Sequence, residues 1–141
     1  MNSFQRYVLA FSRVLIAIIF LLNGLGIVSQ AQAIKDLLNH GTPASLVPFI
    51  MLAARSLEIV AGLCLVFGIY PRLAAVALLV FLVPTTFLAH AFWQVAGTAA
   101  YTPQLLNFLK NTCMFGGLLF IAVTESQPKL LPRTSRSNGR E

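Results

Sequence analysis

Arg55 and Glu58 stand three positions apart in LAARSLEIVAGLCL, residues 52–65, a stretch otherwise suited to hydrocarbon. That spacing puts a guanidinium and a carboxylate on one helix face, where each can neutralise the other. Gly62 continues the face one turn on and leaves room for a neighbouring helix. A second polar face is written in NFLKNTCMFGG, where Asn107, Lys110 and Asn111 have i, i+3, i+4 spacing. Asn23 and His90 are polar positions in two further apolar runs. Carboxylate and imidazole can exchange protons, and lysine and arginine can polarise an oxygen or hold an anion. Ionisable groups inside a membrane usually mark ligand, ion or proton paths. The same groups can also form a salt-bridge and amide network that fixes helix register. The residues alone leave both readings open.

The elements that position these residues follow from composition. Of 141 residues, 57% are hydrophobic and 10% charged, with a mean hydropathy of +0.80, far too apolar for a water-exposed domain of this size. Four runs, about 8–29, 46–68, 73–92 and 105–124, are long enough to cross a hydrocarbon core of about 30 Å. Backbone amides find no water there, so each crossing must be helical. The expected fold is an all-α membrane protein, a four-transmembrane-helix bundle over 1–125, followed by a basic, disordered tail over 126–141. Between the first and second runs, QAQAIKDLLNH has Ala33, Leu37 and Leu38 at helical spacing, which predicts a short amphipathic helix on the outer surface.

Charge sets the expected orientation. Arg6 and Arg13 precede or open the first run, Arg72 lies between the second and third, and Lys129, Arg133, Arg136 and Arg140 follow the fourth. Among lysines and arginines the opposite loops hold only Lys35, beside Asp36. This asymmetry places both termini in the cytoplasm and assigns the net charge of +6 to topology and anionic lipid rather than to nucleic acid. Ala31-Gln32-Ala33 resembles a signal-peptide cleavage site. The preceding run is longer than a usual signal core and carries Asn23, so the reading is a retained span.

Local punctuation adds four expectations. Thr42-Pro43 should cap and start the second span, and Gly68-Ile-Tyr-Pro71 should form a tight turn. Pro84 cannot donate to the carbonyl of Val80 and should kink the third span, with Thr85 and Thr86 repairing some of the lost bonding. Cys64 and Cys113 lack C-x-x-C spacing and read as buried small apolar residues. Phe87 and Trp93 read as lipid-contact and interfacial aromatics. No metal-ligand spacing, phosphate loop, nucleophile motif, flavin fingerprint, haem ligand pair or Fe-S spacing occurs, so no intrinsic cofactor is expected.

Depth then gathers the polar residues. Arg55 and Glu58 fall roughly 14 to 18 Å below the outer edge and Lys110 roughly 9 Å below it, while Asn23 and His90 reach the outer third from the cytoplasmic side. The expectation is one outward-opening pocket bounded by Asn23, Arg55, Glu58, His90, Asn107, Lys110 and Asn111. Two cations against one carboxylate leave one positive charge, which an anionic ligand, a polarised quinone carbonyl or a neutral Lys110 would each resolve.

The order RVLIAIIFLLNGLG, LEIVAGLCLVFGIYPRLAA, FLAHAFW, NFLKNTCMFGGLLF resembles the DoxX family of small four-helix bacterial membrane proteins over about residues 10–125. By that resemblance Glu58, His90, Lys110 and Asn111 fall on typical family positions. Many members carry a lysine shortly after the first-span glycine, where this chain has GLGIVSQ with Ile27; Arg55 is the candidate replacement cation. The resemblance implies a redox-associated subunit of the bacterial cytoplasmic membrane. Its name derives from a subunit associated with thiosulfate:quinone oxidoreductase, which makes a quinone the implied cofactor and a redox enzyme the implied partner. The leading expectation is thus a membrane subunit that binds a quinone-like or small anionic molecule. In it Lys110 and Arg55 polarise an oxygen, Glu58 or His90 exchanges protons, and Phe87 or Trp93 faces a ring. The alternatives are a non-catalytic scaffold that anchors a redox enzyme and a small transporter working as a homo-oligomer.

Overall fold

Four apolar runs become four long helices, and the turns between them are set by glycine and proline. The computed structural model describes residues 3–125. Its helices are α1 (Ser3–Gly24), α2 (Ala31–Asn39), α3 (Val47–Phe67), α4 (Pro71–Ala89) and α5 (Tyr101–Thr124), with a 3-10 turn over Phe92–Val95. α1, α3, α4 with its following turn, and α5 are long and apolar enough to cross a membrane. α2 has nine residues, only about 14 Å of helix, and cannot span. The expected all-α architecture, with a short helix between the first two spans, is what is observed. The tail over 126–141 lies outside the described residues.

Several boundaries differ from expectation for local reasons. α1 starts and stops earlier than the apolar run. Gly26 takes a φ of +76°, and the Gly26 and Ile27 amides turn back onto the Asn23 and Leu22 carbonyls at 2.9 and 3.0 Å, a glycine-assisted C-terminus. Thr42-Pro43 does not start α3. The Leu46 amide donates to the Pro43 carbonyl at 2.9 Å in a preceding turn, and the proline of the first helical turn is Pro48. The Gly68–Pro71 link is the tight turn expected: Gly68 and Tyr70 are both left-handed, with φ of 68° and 47°, and Pro71 opens α4. In α4 the Thr85 and Thr86 hydroxyls donate to the carbonyls of Phe81 and Leu82 at 2.8 and 2.7 Å. They therefore do not serve the Val80 carbonyl that Pro84 leaves without its usual donor.

The four long helices form a ring. α1 packs on α3, α3 on α4 and α4 on α5, while α5 meets α1 only sparsely; the diagonal pairs α1–α4 and α3–α5 make no close backbone approach. Small residues bring α1 and α3 together. A Cβ on Gly24 would sit 2.7 Å from Ile59 Cγ1 and 3.0 Å from the Arg55 carbonyl, and one on Gly62 would sit 2.8 Å from Leu21 Cδ2. Ala17, Phe20, Ala61, Leu65, Leu78, Leu118 and Ile121 fill the interior, while Phe11, Leu52, Val60, Val80 and Phe120 face outward, the pattern of a bundle solvated by lipid chains. At the end of the ring with the Gly68 turn, Arg13 of α1 pairs with Glu125 just after α5 and rests its guanidinium against Gly68. At the other end, α2 folds back onto α3 and α4.

Candidate functional site

Glu58 lies at the twelfth position of α3, roughly 16 Å along the helix axis. It is 3% exposed. A carboxyl that deep needs a partner, and α1 supplies one: Asn23 Nδ2 donates to Glu58 Oε1 at 3.1 Å. Asn23 is itself anchored, since Gln30 Nε2 donates to its backbone carbonyl at 2.8 Å.

Arg55 does something its spacing from Glu58 does not announce. Its Nε donates to the Gly24 carbonyl at 2.8 Å, one of the carbonyls that the end of α1 leaves without a helical partner. A cation at a helix C-terminus is also favoured by the helix dipole. The guanidinium lies over Gly26, where a Cβ would come within 2.8 Å of Nη2. Arg55 and Glu58 are therefore not in direct contact: among the described residues the only ion pair within 4.0 Å is Arg13–Glu125. Arg55 sits behind Glu58 and fastens α1 to α3.

In front of Glu58 is a cavity of about 390 Å³. Asn23 and Glu58 line its deep wall, α4 contributes Phe81, Pro84, Thr85 and Leu88, and α2 with its following turn closes the surface end with Ala33, Leu37, Asp36 and His40. The walls are mainly apolar and, among the described residues, carry no lysine or arginine. At the rim, Gln32 Nε2 donates to Asp36 Oδ1 at 2.8 Å, and His40 Nδ1 donates to the Asp36 carbonyl at 2.7 Å. Asp36 Oδ2 is buried with no partner among the described residues.

The remaining expected site residues lie elsewhere. Asn111 Nδ2 donates to Thr86 Oγ1 at 3.0 Å, a buried bond between α5 and α4. His90 Nδ1 lies 2.9 Å from Gln104 Oε1. Lys110 is exposed on the outside of α5, where its Nζ donates to Asn107 Oδ1 at 3.0 Å. The single pocket bounded by all seven residues is thus divided. Asn23, Arg55 and Glu58 form one group on α1 and α3, whereas His90, Asn107, Lys110 and Asn111 make separate pairs on α4 and α5. Depth along a helix gives a level but not a direction, and the ring sets α3 and α5 on opposite corners. Phe87 and Trp93 do not face Glu58 either. They stack with each other, ring centres 6.1 Å apart, and both meet Phe108.

Cys64 is half-buried, but Cys113 is exposed, against the expectation that both are buried. No trio of metal-ligating side chains occurs among the described residues. Gln30, Asp36, His40 and Gln104 are additions to the site residues expected from the sequence. Asp36 and His40 do carry a signal there, an i, i+4 pair of titratable residues in the amphipathic segment.

Comparison with known proteins agrees with the resemblance seen in the motifs. A family model described as DoxX matches residues 8–91, a span that includes Asn23, Arg55, Glu58 and His90 and stops before Asn107, Lys110 and Asn111. The chain is 28% identical over 120 residues to the "Inner membrane protein YphA" of Escherichia coli (strain K12), covering 82% of this chain and 81% of that protein. No solved structure matches it.

Proposed function

This chain belongs to the DoxX family of multi-spanning membrane proteins, and from that premise we propose that it is a redox-associated subunit of the bacterial inner membrane that binds a quinone-like molecule in the cavity at Glu58. The inner-membrane placement is supported by the relative named for it, and Arg6, Arg13 and Arg72, toward the end of the ring opposite α2, favour a cytoplasmic position for that end. The chain carries no electron-carrying motif of its own, so electrons come from a partner enzyme or from the ligand.

The observation that carries the reading is the cavity's chemistry. It has apolar walls broad enough for a ring and a few convergent polar groups at its deep end, the usual make-up of a small-molecule site. Two carboxyls and the rim imidazole of His40 line it, with no lysine or arginine among the described residues; the deep end beside Glu58 holds no cation, which favours a neutral ring with oxygen substituents over a small anion. Asn23, through the second N–H of its Nδ2, and Glu58, when it carries a proton, would donate to an oxygen of the ring. Arg55 fastens the end of α1, and with it Asn23, to the helix that carries Glu58, and Lys110 takes no part.

The test is binding of tetramethyl-benzoquinone to the purified protein in lipid nanodiscs. Glu58→Gln and Asn23→Leu should each weaken binding about tenfold, a change of about 1.4 kcal/mol, and Lys110→Met should leave it within about twofold. Absence of binding to the wild type, or the reverse ranking of variants, removes the reading. If a redox enzyme copurifies equally well with wild type and Glu58→Gln while no quinone binds, the protein is a scaffold instead.

A further inference from the structure

We infer that Glu58 communicates with water from the α2 end of the bundle alone, so that any proton it takes or gives crosses only that face of the membrane. This uses the cavity described above but holds whatever molecule occupies it.

Two observations carry it. First, one continuous cavity runs from Asp36 and His40, which lie on and just after the non-spanning α2, to Glu58 in the middle of a span. Its polar lining is spread along that length: Thr42 and Gln30 near the rim, Thr85 on α4, Asn23 at the carboxyl. These groups offer water hydrogen-bonding partners at intervals along otherwise mainly apolar walls. Second, the path in the other direction is closed. Between Glu58 and the Gly68 turn, Ala17, Leu65, Ala75, Leu78 and Leu118 are each 0% exposed and Ile121 is 1% exposed, so this apolar plug shuts water out from the end where Arg13 and Glu125 pair.

The groups facing Glu58 fit a one-sided role. On its own helix Arg55 is turned to the Gly24 carbonyl. From α1 comes the amide of Asn23, and from α4 the cavity receives Phe81, Pro84, Thr85, Leu88 and Ala89, none of them titratable. Asp36 and His40 are the titratable side chains that share the cavity with Glu58, and both are at the rim. Protons therefore have acceptors at the mouth and a carboxyl at the end of the passage, with the apolar plug beyond it.

The experiment uses the full chain, with Cys64 and Cys113 replaced by alanine, in right-side-out and inverted bacterial membrane vesicles. Lys35→Cys and Arg72→Cys serve as references for the two faces, and a charged methanethiosulfonate is the probe. Glu58→Cys should react from the Lys35 face, at least about tenfold faster than from the Arg72 face, and Leu37→Trp, which fills the passage, should slow that reaction about tenfold. Because Glu58→Cys removes the Asn23 bond, Ala54→Cys on the same wall, with Glu58 intact, provides the second measurement and should behave alike. Comparable reaction from the Arg72 face overturns the inference. So does failure of both cysteines to react from the Lys35 face while Lys35→Cys is labelled, or insensitivity to Leu37→Trp. Quinone binding does not enter any of these readouts, so the two ideas fail separately.

Discussion

Asn23 matters because of what it leaves behind when removed. Asn23→Leu would strand Glu58 Oε1, now bonded at 3.1 Å, in an apolar surround, at a cost of about 1–3 kcal/mol. The midpoint of unfolding in a mixed-micelle titration should fall accordingly, and Asn23→Gln should recover only part of it. The two glycines beside α2 separate conformational cost from contact. Gly41 has a φ of +81° and open space within 4 Å of where a Cβ would stand, whereas Gly26, with a φ of +76°, has the Arg55 guanidinium 2.8 Å from that point. Gly41→Ala should cost only the left-handed backbone penalty of about 1–2 kcal/mol. Gly26→Ala should cost more and also displace Arg55. Equal losses in a parallel titration would show that Arg55 is not held there. At this scale the sequence is half legible. Arg55 and Glu58 share a face, as their spacing says, but spacing cannot reveal that the end of α1 offers Arg55 a carbonyl at 2.8 Å and so draws it away from its neighbour.

Helix contacts are sorted by which glycines have room. Gly24→Ala would press on a backbone carbonyl, which cannot give, as well as on Ile59. Gly62→Ala meets the flexible end of Leu21, and Gly116→Ala meets nothing within 4 Å. The expected order of destabilisation is therefore Gly24, then Gly62. Gly116→Ala should be neutral or stabilising by up to about 1 kcal/mol from helix propensity alone. Thermal inactivation of the three variants in detergent would check the ranking, and a loss at Gly116 comparable to Gly24 would mean that α5 packs against something outside this chain. Hydrophobic run length makes the four long helices legible, and the period of QAQAIKDLLNH reveals α2. What run length cannot show is the neighbour of each face. Similar levels suggest that Lys110 and Glu58 meet; they part because their helices stand at opposite corners.

The ring as a whole is fastened unevenly. Its seam between α1 and α5 is sparse and carries the Arg13–Glu125 pair, whose side chains are 16% and 11% exposed. Charge that is this far from water is costly when unpaired. Arg13→Gln or Glu125→Gln alone should destabilise by about 1–3 kcal/mol, and the charge exchange Arg13→Glu with Glu125→Arg should restore much of the loss. A double-mutant cycle measures this, and no coupling between the positions would mean the pair does not hold the seam.

The uneven seam predicts an order of assembly during synthesis. The N-terminal helix finds its main surface on α3 and α3 finds the next on α4, so a three-helix intermediate with the Glu58 and Asn23 bond in place can exist before α5 has left the ribosome. α5 should then arrive as the closing stave on α4, and Glu125, just past its end, should meet Arg13 last. Nascent chains halted before α5 should therefore already protect α1 and α3 from proteolysis.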